Sequence, residues 1–110
     1  MQVSPTELEA HILLHPDVGE VAVIGIEDAR SGEVPMAFVV PTPTWNAGSF
    51  QALASSIRLH VEKHKANYKW LRGGVKFVDA LPKTSSGKVN RRALRDGERN
   101  KARIASNPHL

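Results

Sequence analysis

Apolar positions along the chain fall into short runs, and the period of each run names an element. Leu8, Ile12 and the adjoining Leu13 recur at the spacing of one helix face. Ahead of them Ser4-Pro5-Thr6-Glu7 has the make-up of a capping box with proline at the first helical position. His15-Pro16-Asp17 ends that helix, because proline disfavours helical backbone in the residue before it. Glu20 to Ile26 is short and β-branched, which predicts a strand. A polar loop from Glu27 to Glu33 carries Gly32, and Val34 to Pro41 predicts a second strand. Residues 42–49 are loop by composition. Ser49 is placed to cap a second helix, in which Leu53, Ile57 and Val61 recur every four residues before the pattern fades near Ala66 or Asn67. Tyr68 to Gly74 breaks the period, and Val75 to Leu81 alternates as a third strand. Pro82 to Lys88 is a turn-rich loop, Asn90 caps a short basic helix through Arg95, and the residues beyond Gly97 read as a flexible polar tail.

That order predicts an α+β fold: a small three-stranded mixed sheet, two main helices packed on it and a short C-terminal helix. The first two strands are close enough in sequence to pair antiparallel, and the third, returning after a helix, suits a parallel place. A chain of 110 residues is one domain's worth, and burying roughly two-thirds of its unfolded surface gives it a core without staples. The apolar share of 41% and charged share of 24% are those of a globular fold. With no cysteine, disulfides, thiolate metal sites and cysteine nucleophiles are excluded. No apolar run approaches the roughly 18 residues a membrane span needs, and no secretory signal opens the sequence, so a soluble intracellular domain is expected.

Charge is unevenly divided. Residues 1–57 carry one cation, Arg30, and seven carboxylates, whereas residues 58–110 carry 14 cations and four carboxylates. A strongly basic half points to an anionic partner (a phosphate, a nucleotide, a nucleic acid or a membrane surface) or else to a solvated face. The most chemical stretch lies in that half. Pro82-Lys83-Thr84-Ser85-Ser86-Gly87-Lys88 joins a glycine that permits close backbone approach to three hydroxyls and a lysine, a set suited to phosphate or carboxylate oxygens. It is not a P-loop, since Pro82 stands where the first glycine belongs and Val89 where a magnesium-ligating hydroxyl would be. Other constellations are weaker. His11 with His15 and His60 with His64 form i,i+4 pairs without an evident third ligand, and are expected to be solvent-facing rather than to hold a metal. Trp45, Tyr68 and Trp70 have basic neighbours, but aromatics are only 5% of the chain, which argues against nucleic-acid stacking. Ser85 and Ser86 lack the strand–turn–helix setting of a nucleophile elbow.

Several stretches in order resemble the C-terminal domain of adenylate-forming enzymes, the superfamily of acyl-CoA synthetases, coumarate–CoA ligases and luciferases. They are Gln2 to Glu9, His15-Pro16-Asp17-Val18 with Val21 to Gly25, Gly32 to Val40, Leu71 to Asp79, and Leu81 to Lys88. The resemblance covers residues 2–96 as one lid domain and leaves 97–110 as the tail. It implies a two-step reaction: a carboxylate attacks ATP to give an acyl-adenylate and pyrophosphate, and a thiol, usually that of coenzyme A, then takes the acyl group. The lid rotates between the steps. By position Lys88 is the lysine that assists the first step, and family lysines there are often reversibly acylated. The resemblance further places Gln2 near the nucleotide; of the other candidate binding residues, Gly87 permits close backbone approach, and Lys83 either adds to the anion field or is a solvated turn lysine.

The same resemblance implies a large N-terminal catalytic domain outside these residues. That domain would hold the phosphate loop, magnesium and the acyl pocket, with nucleotide and acyl substrate at the interdomain cleft. Alone, the chain is expected to hold no cofactor, catalyse nothing, and bind neither nucleic acid nor membrane. The alternative is a stand-alone interaction module that docks on a separate ligase body or carrier protein. Residues 62–71 lean toward the acyl- and aryl-CoA ligase branch, without naming the acid. The cytoplasm is the expected compartment; the terminal Pro-His-Leu is a poor relative of the Ser-Lys-Leu peroxisomal signal.

Overall fold

The computed structural model describes residues 5–28, 32–45, 48–64 and 73–105. Three helices and three strands follow in the order α1 (Pro5–Ile12), β1 (Val18–Asp28), β2 (Gly32–Pro41), α2 (Phe50–His64), β3 (Gly74–Phe77) and α3 (Arg91–Ala105). The sheet order is β1-β2-β3, antiparallel between β1 and β2 and parallel between β2 and β3. The expected mixed three-stranded sheet and α+β class are therefore both present.

Side-chain alternation explains why β1 and β2 read as continuous apolar runs. Val21, Val23, Ala37 and Val39 point to one face, where they are buried under Leu8 and Ile12 of α1 and Leu53, Ile57 and Val61 of α2. Ala22, Ile24, Met36 and Phe38 point to the other, where Leu81, Val89 and Leu94 cover them. With both faces buried, neither strand needs a polar alternate. Only one of these covers was fully anticipated. The second is built from the turn-rich loop and the last helix, elements that the local pattern marks as peripheral.

Helix starts follow their caps. The Ser49 hydroxyl accepts from Ala52 N–H at 3.2 Å, and the Asn90 side-chain carbonyl accepts from Ala93 N–H at 3.1 Å. The expected cap at Ser4 and the end of α2 beyond His64 lie outside the described residues. Two ends differ from expectation. β3 stops at Phe77 rather than Leu81: Val78 N–H donates to Val39 O at 3.0 Å, and the next donor in that parallel register belongs to Pro41, which has none. α3 continues through Gly97 to Ala105, where a short helix and a frayed tail were expected. The roughly 1 kcal/mol disadvantage of a helical glycine is outweighed by context, since Glu98 in the following turn ion-pairs with Lys76 of β3 and Lys101 of its own helix. Among the described residues no helix is long and apolar enough to cross a membrane.

Candidate active-site hairpin

After Leu81 enters the second core the chain turns outward in a tight hairpin. Lys83 and Val89 form an antiparallel bridge, Thr84 N–H donates to Lys88 O at 2.7 Å, and Asn90 N–H donates to Pro82 O at 2.8 Å. Gly87 N–H closes the turn on Thr84 O at 2.9 Å, with Gly87 itself at φ +88°. A turn followed by a left-handed residue is the usual three-residue hairpin connection, and glycine enters that region without a Cβ penalty. A Cβ built at Gly87 meets nothing within 4 Å, so glycine serves the backbone here, not a close approach within the chain. The Thr84 and Ser86 hydroxyls lie 2.9 Å apart and share one hydrogen bond.

The hairpin separates the two lysines that the sequence singled out. Lys83 Nζ lies 2.7 Å from Glu20 Oε1 on β1, so its charge is matched at the surface. Lys88 is exposed, and among the described residues its ammonium group makes no ion pair or hydrogen bond. Gln2 lies outside the described residues. Lys83, Gly87 and Lys88 are thus gathered on one exposed turn whose shape is fixed from within.

What fixes the turn to the body was not singled out beforehand. Arg91, the first residue of α3, donates from both Nε (3.0 Å) and a terminal nitrogen to the two carboxylate oxygens of Glu9 on α1. Glu9 Oε2 also accepts from Val23 N–H at 2.8 Å, a backbone donor on the outer edge of β1. The only sequence signal was a carboxylate next to Leu8 on a short amphipathic helix, a place where a charge needs a partner.

The histidines are not solvent-facing as expected. His15 is buried, donates from Nε2 toward the Ser56 hydroxyl at 2.8 Å and accepts Asp17 N–H at Nδ1. His11 and His60 stack with ring centroids 4.6 Å apart, each Nε2 donating to the other's backbone carbonyl. The side chain of His64 lies outside the described set. Burial pushes the His15 imidazole below the usual histidine range, with Asp17 opposing and His60 adding to the shift. These rings fasten α1 to α2, and among the described residues no group of three or more His, Cys, Asp or Glu is placed to hold a metal. An open cleft lined by Pro41, Phe50 and residues 75–79 contains no hairpin residue, so the concave surface and the candidate chemistry sit apart.

Residues 7–88 match the family profile described as AMP-binding enzyme C-terminal domain. The chain belongs to that family. The match runs from α1 to Lys88, and so takes in the whole hairpin turn while leaving out α3. The AMP-binding enzyme C-terminal domain seen here is 44% identical to an acyl-CoA ligase, lcsD, of Purpureocillium lilacinum over 93% of this chain and 26% of that protein. The crystal structure of an acyl-CoA synthetase from Brucella canis superposes with a TM-score of 0.82 at 36% identity, covering 93% of this chain and 18% of the other. The anthranilate CoA ligase AuaEII, solved with anthranoyl-AMP, superposes with a TM-score of 0.76 at 38% identity over 88% of this chain and 18% of its own. The chain therefore spans about a quarter or less of the length of each.

Proposed function

We propose that this domain is the mobile lid of an ATP-dependent acid–CoA ligase and that Lys88 serves its first step, formation of the acyl-adenylate. The observation that carries the reading is the presentation of Lys88: an ammonium unpaired among the described residues, on an exposed hairpin turn at the end of the segment matched to the family. In that step a carboxylate oxygen attacks the α-phosphorus of ATP and pyrophosphate leaves. Both reactants are anions, so a fixed cation that bridges carboxylate and α-phosphate oxygens orients the attack and offsets the charge that gathers in the transition state. In the second step the thiol of coenzyme A attacks the acyl carbon and AMP leaves, with a different face of the lid toward the cleft.

In this reading ATP and coenzyme A are substrates, and magnesium belongs to an N-terminal catalytic domain, the lid's partner across the cleft that takes nucleotide and acid. Gln2 lies beside the nucleotide, Gly87 sets the turn, and Lys83 adds positive charge while its pairing with Glu20 steadies the hairpin. The enzyme works in the cytoplasm.

The test replaces the matching segment of AuaEII by this chain and compares the hybrid with its Lys88→Ala variant. Pyrophosphate release from anthranilate and ATP reports the first step; thioester formation from anthranoyl-AMP and coenzyme A reports the second. Lys88→Ala is expected to slow the first on the order of 10²-fold or more and to spare the second. If both steps are untouched, the hairpin is only a turn and the docking-module reading replaces this one.

A further inference from the structure

We infer that Arg91 and Glu9 are positioning residues for Lys88. This rests on the reading of Lys88 as the adenylation lysine. The hairpin has little of its own to hold it at one angle to the sheet. Its stem is a single bridge, Lys83 to Val89, and the Lys83–Glu20 pair on its first arm is exposed at both ends, where screening leaves it weak. The second arm is different. Val89 packs on the second core, and two residues later Arg91 grips Glu9 with both branches of its guanidinium. Glu9 is the least exposed of the ion-paired carboxylates described, at 12% against 20% for Glu98 and 46% for Glu20.

Glu9 accepts three donors from two elements, the two from Arg91 and Val23 N–H, so it joins α1, the outer edge of β1 and the start of α3 at one point. Bidentate pairing fixes orientation as well as distance, since two parallel N–H···O bonds hold the planes of both groups. Lys88 precedes that anchor by three residues, at most about 10 Å of extended chain. The cap at Asn90, which holds Pro82 O and Ala93 N–H, stiffens the short link between them. Releasing Arg91 from Glu9 leaves the family lysine in place but lets its hairpin swing. A displacement of about 1 Å at a reacting centre costs as much as 10²-fold in rate.

The experiment uses the same hybrid with AuaEII, and the variants Arg91→Met, Arg91→Lys, Glu9→Gln and Lys88→Ala, singly and with Arg91→Met added to Lys88→Ala. Arg91→Met and Glu9→Gln are each expected to slow pyrophosphate release roughly 10-fold to 10²-fold. The KM for ATP and thioester formation from anthranoyl-AMP are expected to stay at the hybrid's values. Arg91→Lys keeps the charge without the fork and falls in between. Arg91→Met is expected to cost nothing further once Lys88 is alanine, because a residue acting through Lys88 has nothing left to position. Glu9→Gln is isosteric and keeps an oxygen for Val23 N–H, so it carries the test if Arg91→Met melts below the assay temperature. The inference is overturned if Arg91→Met costs the same factor with and without Lys88, or if adenylation stays at the hybrid's rate in Arg91→Met and Glu9→Gln while Lys88→Ala abolishes it. Indifference to Lys88→Ala instead defeats the reading of Lys88 itself.

Discussion

Gly87 shows what a single residue contributes to this site. Its φ of +88° is one that residues with a Cβ rarely adopt, and nothing in the chain crowds the place where a Cβ would stand. The cost of Gly87→Ala is therefore a backbone cost, about 1–2 kcal/mol, and Gly87→Asn is expected to cost less, since asparagine tolerates the left-handed region better. Thermal melts of the three chains check that order, and in the hybrid the adenylation rate is expected to follow it. The need for glycine was legible because it is local: a run of hydroxyl residues ending in Gly-Lys announces a turn. The exposure of Lys88 was legible for the same reason. The Glu9–Arg91 pair was not, because it joins residues 82 positions apart, and no local pattern says which of 14 cations in the second half finds which carboxylate in the first.

Among elements, the pair α1 and α2 carries a charge device that sequence spacing misread. The i,i+4 histidines suggested one ring pair per helix, but the fold stacks His11 on His60 across the two helices and places His15 beneath, on Ser56. Periodicity locates a residue on its own helix and says nothing about the facing one. Asp17 N–H donates to His15 Nδ1, so that nitrogen carries the lone pair and the native ring is neutral. Protonation would break that bond and add a cation to a site where His60 meets it edge-on at 5.6 Å and the nearby Asp17 carboxylate compensates only in part. The native His15 pKa is thus depressed below its unfolded value, mainly by burial. Between those two values the unfolded chain binds more protons than the folded one, and stability rises with pH. Acidification from neutrality through the unfolded histidine range, about 6.5, is expected to lower the melting temperature. His15→Gln is expected to cost about 1–2 kcal/mol at pH 7.5, where the native ring's bonds are intact, yet to flatten the acid slope. Denaturant unfolding at several pH values checks both, and an unchanged slope in His15→Gln would assign the acid sensitivity to other groups.

At the scale of the whole molecule, ion pairs tie the acidic first half of the chain to the basic second half. Lys83–Glu20 and Arg91–Glu9 both run from the basic second half to the acidic first half. The segment that supplies Lys83 and Arg91 also covers the second face of the sheet, where Leu81, Val89 and Leu94 lie over Ala22, Ile24, Met36 and Phe38. The sequence presents this segment as the end of a strand, a turn-rich loop and a short basic helix, with no sign of a shared core, because its apolar residues are widely spaced among charges. Their common target appears only when β1 and β2 are paired. Two truncations separate these views. Ending the chain after Arg95 keeps Leu94 and the Arg91–Glu9 pair and loses the Glu98–Lys76 link, a partly exposed pair worth up to about 1 kcal/mol. Ending it after Asn90 removes Leu94 and strands Glu9, 12% exposed, without its cation; breaking a fully buried pair costs about 3–5 kcal/mol, which is the upper bound for this part-buried one. Against a total stability of about 5–15 kcal/mol for a domain of this size, the second loss, with that of Leu94 added, is a large share of what holds the fold. The chain ended after Arg95 is expected to melt cooperatively a few degrees below the full chain. The chain ended after Asn90 is expected to bind a hydrophobic dye and to melt without a cooperative transition. If it melts like the full chain, the second face is sealed without α3, and the anchor that Arg91 gives the lysine hairpin is not part of the core.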